Sequence, residues 1–322
     1  MPQVALIGGR DLAYWNAMKY ACLGVVALIG SAACGSVPAT PDATDPDAAI
    51  AVDGEPPPPA RWSAPVLIQS LAGISKDNPS LTADGKEIYF RVYADEMAGV
   101  RSQDIWTAKR ARVDDPWGAP GPVPGMINTN AHETDPGVSP DGLTLWFASN
   151  RAGAGGWDIF VSSRAGRNDP WGAPVAVTEL NTMKDDRGPR VTADGKTMTF
   201  FSSRPGATGD PDATDIYVAT RSAIGEKWSS IVNLGAINTA KTDAGGHLAA
   251  GGRAIYFCSN REGDFDLFAS TRATPGGDFG APRRIDELSE GLECGLWVSE
   301  DEKQIVFSRS VDRHAELYES TR

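Results

Sequence analysis

Long apolar runs are scarce in this chain. The one that stands out, "ACLGVVALIGSAAC" at 21–34, is too short to span a bilayer comfortably as a helix. Bases are outnumbered, with 30 Lys and Arg against 42 Asp and Glu and a formal net charge of −12. Without a basic patch to neutralise phosphates, a nucleic-acid binder is excluded. Only three histidines occur (His132, His247, His314), in unrelated contexts, so there is no zinc-ligand spacing. Cysteines number four, and no G-x-S-x-G nucleophile elbow is present. What the chain does have is 35 Gly and 23 Pro, the composition of many turns.

The apolar run follows Met18-Lys19 and ends in small residues before Cys34, the pattern of an export signal. Translation is expected to start at Met18, because residues 1–17 do not fit a signal. Ala32, Ala33 and Cys34 resemble a bacterial lipobox, with Ser31 where that motif usually carries Leu. The resemblance implies cleavage before Cys34 and lipid attachment to it; ordinary cleavage nearby is the other reading. Residues 35–60 carry five acids (Asp42, Asp45, Asp47, Asp53, Glu55), no base and little to bury. They read as a disordered Pro/Ala/Asp tether. Lipid and tether would hold a folded part, 61–322, near a membrane without inserting it. The localisation expected is that of an exported, outer-membrane-anchored lipoprotein facing the periplasm or the cell surface.

Within 61–322 one stretch returns five times: "DIWTAKR" (104–110), "DIFVSSR" (158–164), "DIYVATR" (215–221), "DLFASTR" (266–272) and "ELYESTR" (316–322). Acid and arginine are six residues apart in every copy. Ahead of each lies a second signature, as in "TADGKEIYF" (82–90) and "SPDGLTLWF" (139–147), in which Asp-Gly suits a tight hairpin turn. Glu302 replaces the glycine in the last copy and should weaken that turn. A third signature follows the arginine by seven residues: Trp117, Trp171, Trp228 and Phe279. Each copy therefore predicts four antiparallel strands, A to D. Asp-Gly forms the A–B turn, strand C runs from acid to arginine, and strand D starts at the aromatic. Four-stranded units spaced 57 and then 53 residues apart are the blades of a propeller.

"SPDGLTLWFASNRAGAGGWDIFVSSR" (139–164) resembles the Pro-Asp-Gly repeat of TolB-like, WD-repeat-like bacterial β-propellers. The resemblance implies the architecture and is unspecific for function, since scaffolds, binding platforms and hydrolase appendages share it. The last copy ends at Arg322 without a strand D, while "RWSAPVLIQSL" (61–71) matches "PWGAPVAVTEL" (170–180). Trp62 and its strand should complete the fifth blade and close the ring. The fold expected is an all-β, five-bladed propeller.

The repeated strand-C acids read as acceptors for local hydrogen bonds, and the repeated aromatics as core. Eight residues before the third turn position stand Lys76, Glu133, Asp186, Asp243 and Glu293, ahead of strand A, with His132 and Asp185 beside them. Strand A is innermost, so these acids could ring the channel mouth and bind a cationic ligand or a cation such as calcium; no other cofactor is expected. The competing reading pairs them with Arg151, Arg204 and Arg261, four residues after the strand-B Phe. Cys258 and Cys294 either form a disulfide or remain buried thiols. With no second domain for a triad, two functions stay open. One is a monomeric, non-enzymatic binding or scaffolding module for an envelope protein or glycan. The other is a glycosidase-like enzyme with two carboxylates across the funnel. They differ in whether the mouth acids are free or paired with arginines. The B–C connections vary most in length and point to their face, through 93–103 and 205–214, as the recognition surface.

Overall fold

The computed structural model describes residues 61–93, 103–204, 213–312 and 314–322. The export signal, Cys34 and the tether lie outside the described residues, as do most of 93–103 and 205–214. Among the described residues no helix is long and apolar enough to cross a membrane.

Residues 61–322 form one compact unit, a five-bladed β-propeller with four antiparallel strands per blade. Blade one holds β2 (Lys76–Leu81), β3 (Glu87–Tyr93), β4 (Gln103–Lys109) and β5 (Gly121–Pro122). Blade two holds β6 (Glu133–Val138), β7 (Thr144–Ser149), β8 (Asp158–Ser163) and β9 (Val175–Ala176). Blade three holds β10 (Asp186–Val191), β11 (Thr197–Ser202), β12 (Asp215–Thr220) and β13 (Ser229–Asn233). Blade four holds β14 (Asp243–Ala249), β15 (Ala254–Ser259), β16 (Asp266–Thr271) and β17 (Arg283–Arg284). Blade five takes β18 (Leu292–Val298), β19 (Gln304–Val311) and β20 (His314–Thr321), and its fourth strand is β1 (Val66–Leu67) from the front of the chain. β1 runs antiparallel to β20 with Val66 opposite Glu319, so the expected closure is present. The innermost strands touch in turn around the axis, β2 to β6 to β10 to β14 to β18 and back to β2.

Strand D begins later than the aromatic predicted it would. In blades one, two, four and five it covers two residues, four positions beyond Trp117, Trp171, Phe279 and Trp62. Proline stands just ahead of it there (Pro120, Pro174, Pro282, Pro65) and has no N–H for the ladder. Blade three reads "WSSIVN" instead, without proline, and its strand D runs five residues from Ser229.

The repeated arginines and aromatics form one latch per blade. Arg110, Arg164, Arg221, Arg272 and Arg322 donate Nε–H to the turn carbonyls of Gly85, Gly142, Gly195, Gly252 and Glu302 at 2.7–2.8 Å. Their guanidinium groups lie 4.1–4.6 Å over Trp117, Trp171, Trp228, Phe279 and Trp62. Each arginine thus ties turn A–B to the start of strand D, a cation–π contact added to a charge-assisted hydrogen bond. Glu302 adopts the same left-handed turn, with φ 57°, as its glycine counterparts. The strain expected of a residue with a Cβ there is accompanied by an ion pair from Glu302 to Arg322 at 3.0 Å.

Candidate functional site

The acids assigned to the channel mouth open strand A rather than precede it. Glu133, Asp186 and Asp243 are the first residues of β6, β10 and β14, and Glu293 is the second of β18. All four are fully buried. Each carboxylate reaches back to the connection from the previous blade. Asp186 accepts from the Thr182 amide and hydroxyl at 2.6 and 2.8 Å, as Glu133 does from Thr129 and Asp243 from Thr239. The opposite oxygen of Asp186 accepts from Ser202 Oγ and Arg204 Nη2, both at 2.6 Å. Arg151 and Arg261 hold Glu133 and Asp243 in the same way, at 2.9 and 2.6 Å. The same three arginines also donate to the carbonyls of Ile127, Leu180 and Ile237 and lie over the aromatic rings of strands B and C. The pairing with Arg151, Arg204 and Arg261 is therefore what the structure contains.

Two blades depart from this pattern. In blade five, Arg309 stands at the position of Ser149, Ser202 and Ser259 and reaches Glu293 at 2.7 Å and the Leu288 carbonyl at 3.1 Å. Blade one has Lys76 in place of the acid, fully buried and paired with Glu316, the strand-C acid of blade five. Burial pulls the Lys76 ammonium down, and the Glu316 hydrogen bond opposes that. The ion pair sits beside the β1–β20 seam, and Glu316 also accepts from the Gly73 amide at 2.8 Å.

The inter-blade turn has a signature of its own in the sequence. "INTNAHE", "LNTMKDD" and "INTAKTD" place Asn128, Asn181 and Asn238 five residues before the acid. Each asparagine bonds both backbone groups of a residue in the previous strand C: Ile105, Ile159 and Ile216. The threonine that follows caps the carboxylate, so the motif fixes the connection at both ends.

Below the acids the axis is closed. The third residue of the repeat in strand A is left-handed in every blade: Asn78, Asp135, Gly188, Gly245 and Gly295, with φ between 52° and 65°. These bulges meet in the centre; a Cβ on Gly295 would lie 2.1 Å from Asn78 Oδ1. Asn78 donates to Asp135, which accepts Arg187 Nε at 2.9 Å. Arg91 is paired to Asp77, and Arg190 reaches across to the Pro136 and Pro79 carbonyls. Burial pushes the Asp135 carboxyl up, but Arg187 and Arg91 outweigh it and hold the group below the usual carboxylate range. Burial lowers the Arg190 guanidinium to about 10. Prolines 79, 136 and 189 are tolerated in these central strands because strand A presents a free edge to the axis.

His132 accepts the Gln103 amide on Nδ1 at 2.9 Å and lies 6.2 Å from the Trp157 ring, over which Arg187 sits at 4.4 Å. Cys258 of β15 and Cys294 of β18 form a disulfide, with Cα atoms 5.1 Å apart, that joins blades four and five beside the axis. Among the described residues no group of three or more His, Cys, Asp or Glu is placed to hold a metal ion.

No protein-family model matches the sequence, and no curated protein matches it. Solved structures do. An α-L-arabinofuranosidase from Podospora anserina, crystallised with cellotriose, superposes with a TM-score of 0.54 at 11% identity, over 81% of this chain and 96% of that one. An endo-arabinase from Bacteroides thetaiotaomicron gives 0.54 at 11%, over 81% and 97%. TolB from Acinetobacter baumannii gives 0.48 at 17% and 77% of this chain, which spans 54% of the TolB length. At such identities the likeness is one of fold alone, that of a β-propeller.

Proposed function

We propose that the domain is a non-enzymatic binding platform of the cell envelope, presenting the face of its B–C and D–A connections to a protein or a glycan. The observation that carries this reading is the saturation of the mouth carboxylates. Glu133 and Asp186 spend both oxygens on an arginine, a serine and a threonine of the scaffold, and Asp243 spends both on an arginine and a threonine. A glycosidase needs one carboxyl free to donate a proton and a second free to attack or to activate water. Glu133, Asp186 and Asp243 offer neither; Glu293, held by Arg309 on Oε1, has a buried Oε2 without a hydrogen-bond partner, and the axis beneath is filled by side chains. On this reading Glu133, Asp186, Asp243, Glu293, Arg151, Arg204 and Arg261 position the recognition loops without touching the partner. Contact falls to exposed residues of the D–A turns such as Met126 (62% exposed) and Met183 (84% exposed). The partner is an envelope protein or glycan, reached by an exported, lipid-anchored monomer.

The test is affinity capture from solubilised envelope with three proteins: wild type, Met126→Asp/Met183→Asp, and Lys86→Glu/Lys196→Glu at the opposite A–B turns. Loss of the captured partner in the methionine variant alone is expected. Loss in the lysine variant alone would place the site on the other face. Release of reducing sugar from arabinan or xylan by the wild type, abolished by Glu293→Gln, would establish the glycosidase alternative instead.

A further inference from the structure

The junctions between blades two and three and between blades three and four bring the strand-C acid of one blade beside the strand-A acid of the next. The backbone enforces this: the Asp186 amide donates to the Trp157 carbonyl at 2.8 Å, and the Asp243 amide to Thr214 at 2.9 Å. Asp158 therefore faces Asp186 and Asp185, and Asp215 faces Asp243. Among the described residues one arginine serves each pair, and it is bound to the strand-A member: Arg204 to Asp186, Arg261 to Asp243. On their own blades Asp158 and Asp215 lie opposite Ser149 and Ser202, whose hydroxyls already serve the Glu133–Arg151 and Asp186–Arg204 pairs. Asp158 Oδ2 accepts the Ala154 amide and Asp215 Oδ2 accepts Asn233 Nδ2, at 2.6 and 2.7 Å. Both residues are 1% exposed, and the Oδ1 atom of each is buried with no hydrogen-bond partner. Two buried carboxyls share one cation, so each junction holds one negative charge too many.

We propose that the junctions between blades two and three and between blades three and four each bind a proton, on Asp158 and Asp215, so that the propeller tightens as its surroundings acidify. The proton neutralises the carboxyl that carries the orphan oxygen and removes the surplus charge. Burial, followed by the adjacent acids, raises both carboxyls above their ordinary range, offset in part by the hydrogen bonds to Oδ2. Across the window from about pH 4 up to the folded-state midpoint, the folded state holds more protons than the unfolded one, so stability falls as pH rises. The junction between blades five and one is the internal control, since Glu316 at the same ladder position faces Lys76 and carries no surplus.

Asparagine imitates the protonated acid, with its oxygen kept on the loop donor and its NH₂ in place of the acidic hydroxyl. Melting temperatures of wild type, Asp158→Asn, Asp215→Asn and Glu316→Gln would be compared at pH 8 and pH 4.5. The two asparagine variants should melt higher than wild type at pH 8 and lose that gain at pH 4.5, while Glu316→Gln melts lower at pH 8. A carboxyl-carbon NMR titration of the wild type needs no variant to fold, and should show Asp158 and Asp215 with midpoints above the ordinary range. Asparagine variants that melt lower at both pH values, or ordinary midpoints for Asp158 and Asp215, overturn the proposal.

Discussion

The ring is closed by a strand that chain order places first, and its removal should be costly. Trp62 is 6% exposed, stands edge-on to Tyr256 at 6.3 Å, and carries the Arg322 guanidinium at 4.6 Å. Around it, the Ser63 amide donates to the Thr321 carbonyl and the Ile68 amide to Leu317, while Ile68 and Leu71 enter the core shared by blades five and one. Trp62→Ala removes a large buried ring and costs about 3–4 kcal/mol. The lost cation–π contact lies within that sum. For a domain of this size each kcal/mol lowers the melting temperature by about 2–4 °C, so a drop of roughly 6–16 °C is expected by circular dichroism. Deleting residues 61–71 should cost more, because the outer edge of β20 then lies open and two further apolar side chains leave the core. That variant should also associate in gel filtration, as exposed edges do. A melting curve unchanged by the deletion would mean that β1 does not complete blade five.

The disulfide closes a loop with a sequence separation of 36 residues. Chain entropy assigns about 4 kcal/mol to such a loop, so Cys258→Ala/Cys294→Ala should melt well below wild type and be insensitive to reductant; alkylation of Cys258 and Cys294 themselves in unreduced, denatured protein would refute the bond. The Asp84 carboxyl is held at about 2, first by the Arg167 hydrogen bond and then by Thr82 and the Lys86 amide. Its contribution is present above the unfolded value near 4 and is lost as pH falls from about 4 to about 2. Arg167→Ala should therefore shrink the fall in melting temperature over that interval, and identical pH profiles would refute the role of the pair.

What was legible in the sequence was whatever recurs. The Asp-Gly turn, the strand-C arginine and the aromatic are parts of one latch, and five copies keep the same spacing because five copies make the same contacts. The closing strand could be found for the same reason: Trp62 needs the environment that Trp171 has. The acids ahead of the turn recur at one position, yet position could not separate a free carboxylate from one that holds a turn. Arg309 escaped notice because its clamp stands two residues earlier than in the other blades, at a serine position. Lys76 looked like an exception to an acidic ring; its counter-charge, Glu316, lies 240 residues away and meets it only when the ring closes. Such pairings are properties of the closed structure, and no local pattern encodes them.

Asymmetry within a repeat marks where the scaffold is used for something besides itself, and the axis is the most asymmetric place in this one. Three blades put glycine at the left-handed bulge; Asn78 (φ 52°) and Asp135 (φ 53°) accept the same backbone with a side chain. Glycine would relieve up to about 1 kcal/mol of backbone strain at either position. Asn78→Gly removes a neutral amide and should be close to neutral in stability. Asp135→Gly removes the carboxylate that Arg187 and Asn78 share and that offsets the charges of Arg91 and Arg190. Breaking a buried ion pair by removing one member costs about 3–5 kcal/mol, so the net loss is about 2–4 kcal/mol. The charge network, rather than the backbone, is then what selects aspartate here. Chemical denaturation of the two variants side by side decides it: an Asp135→Gly protein as stable as Asn78→Gly would show that the axial plug is packing alone.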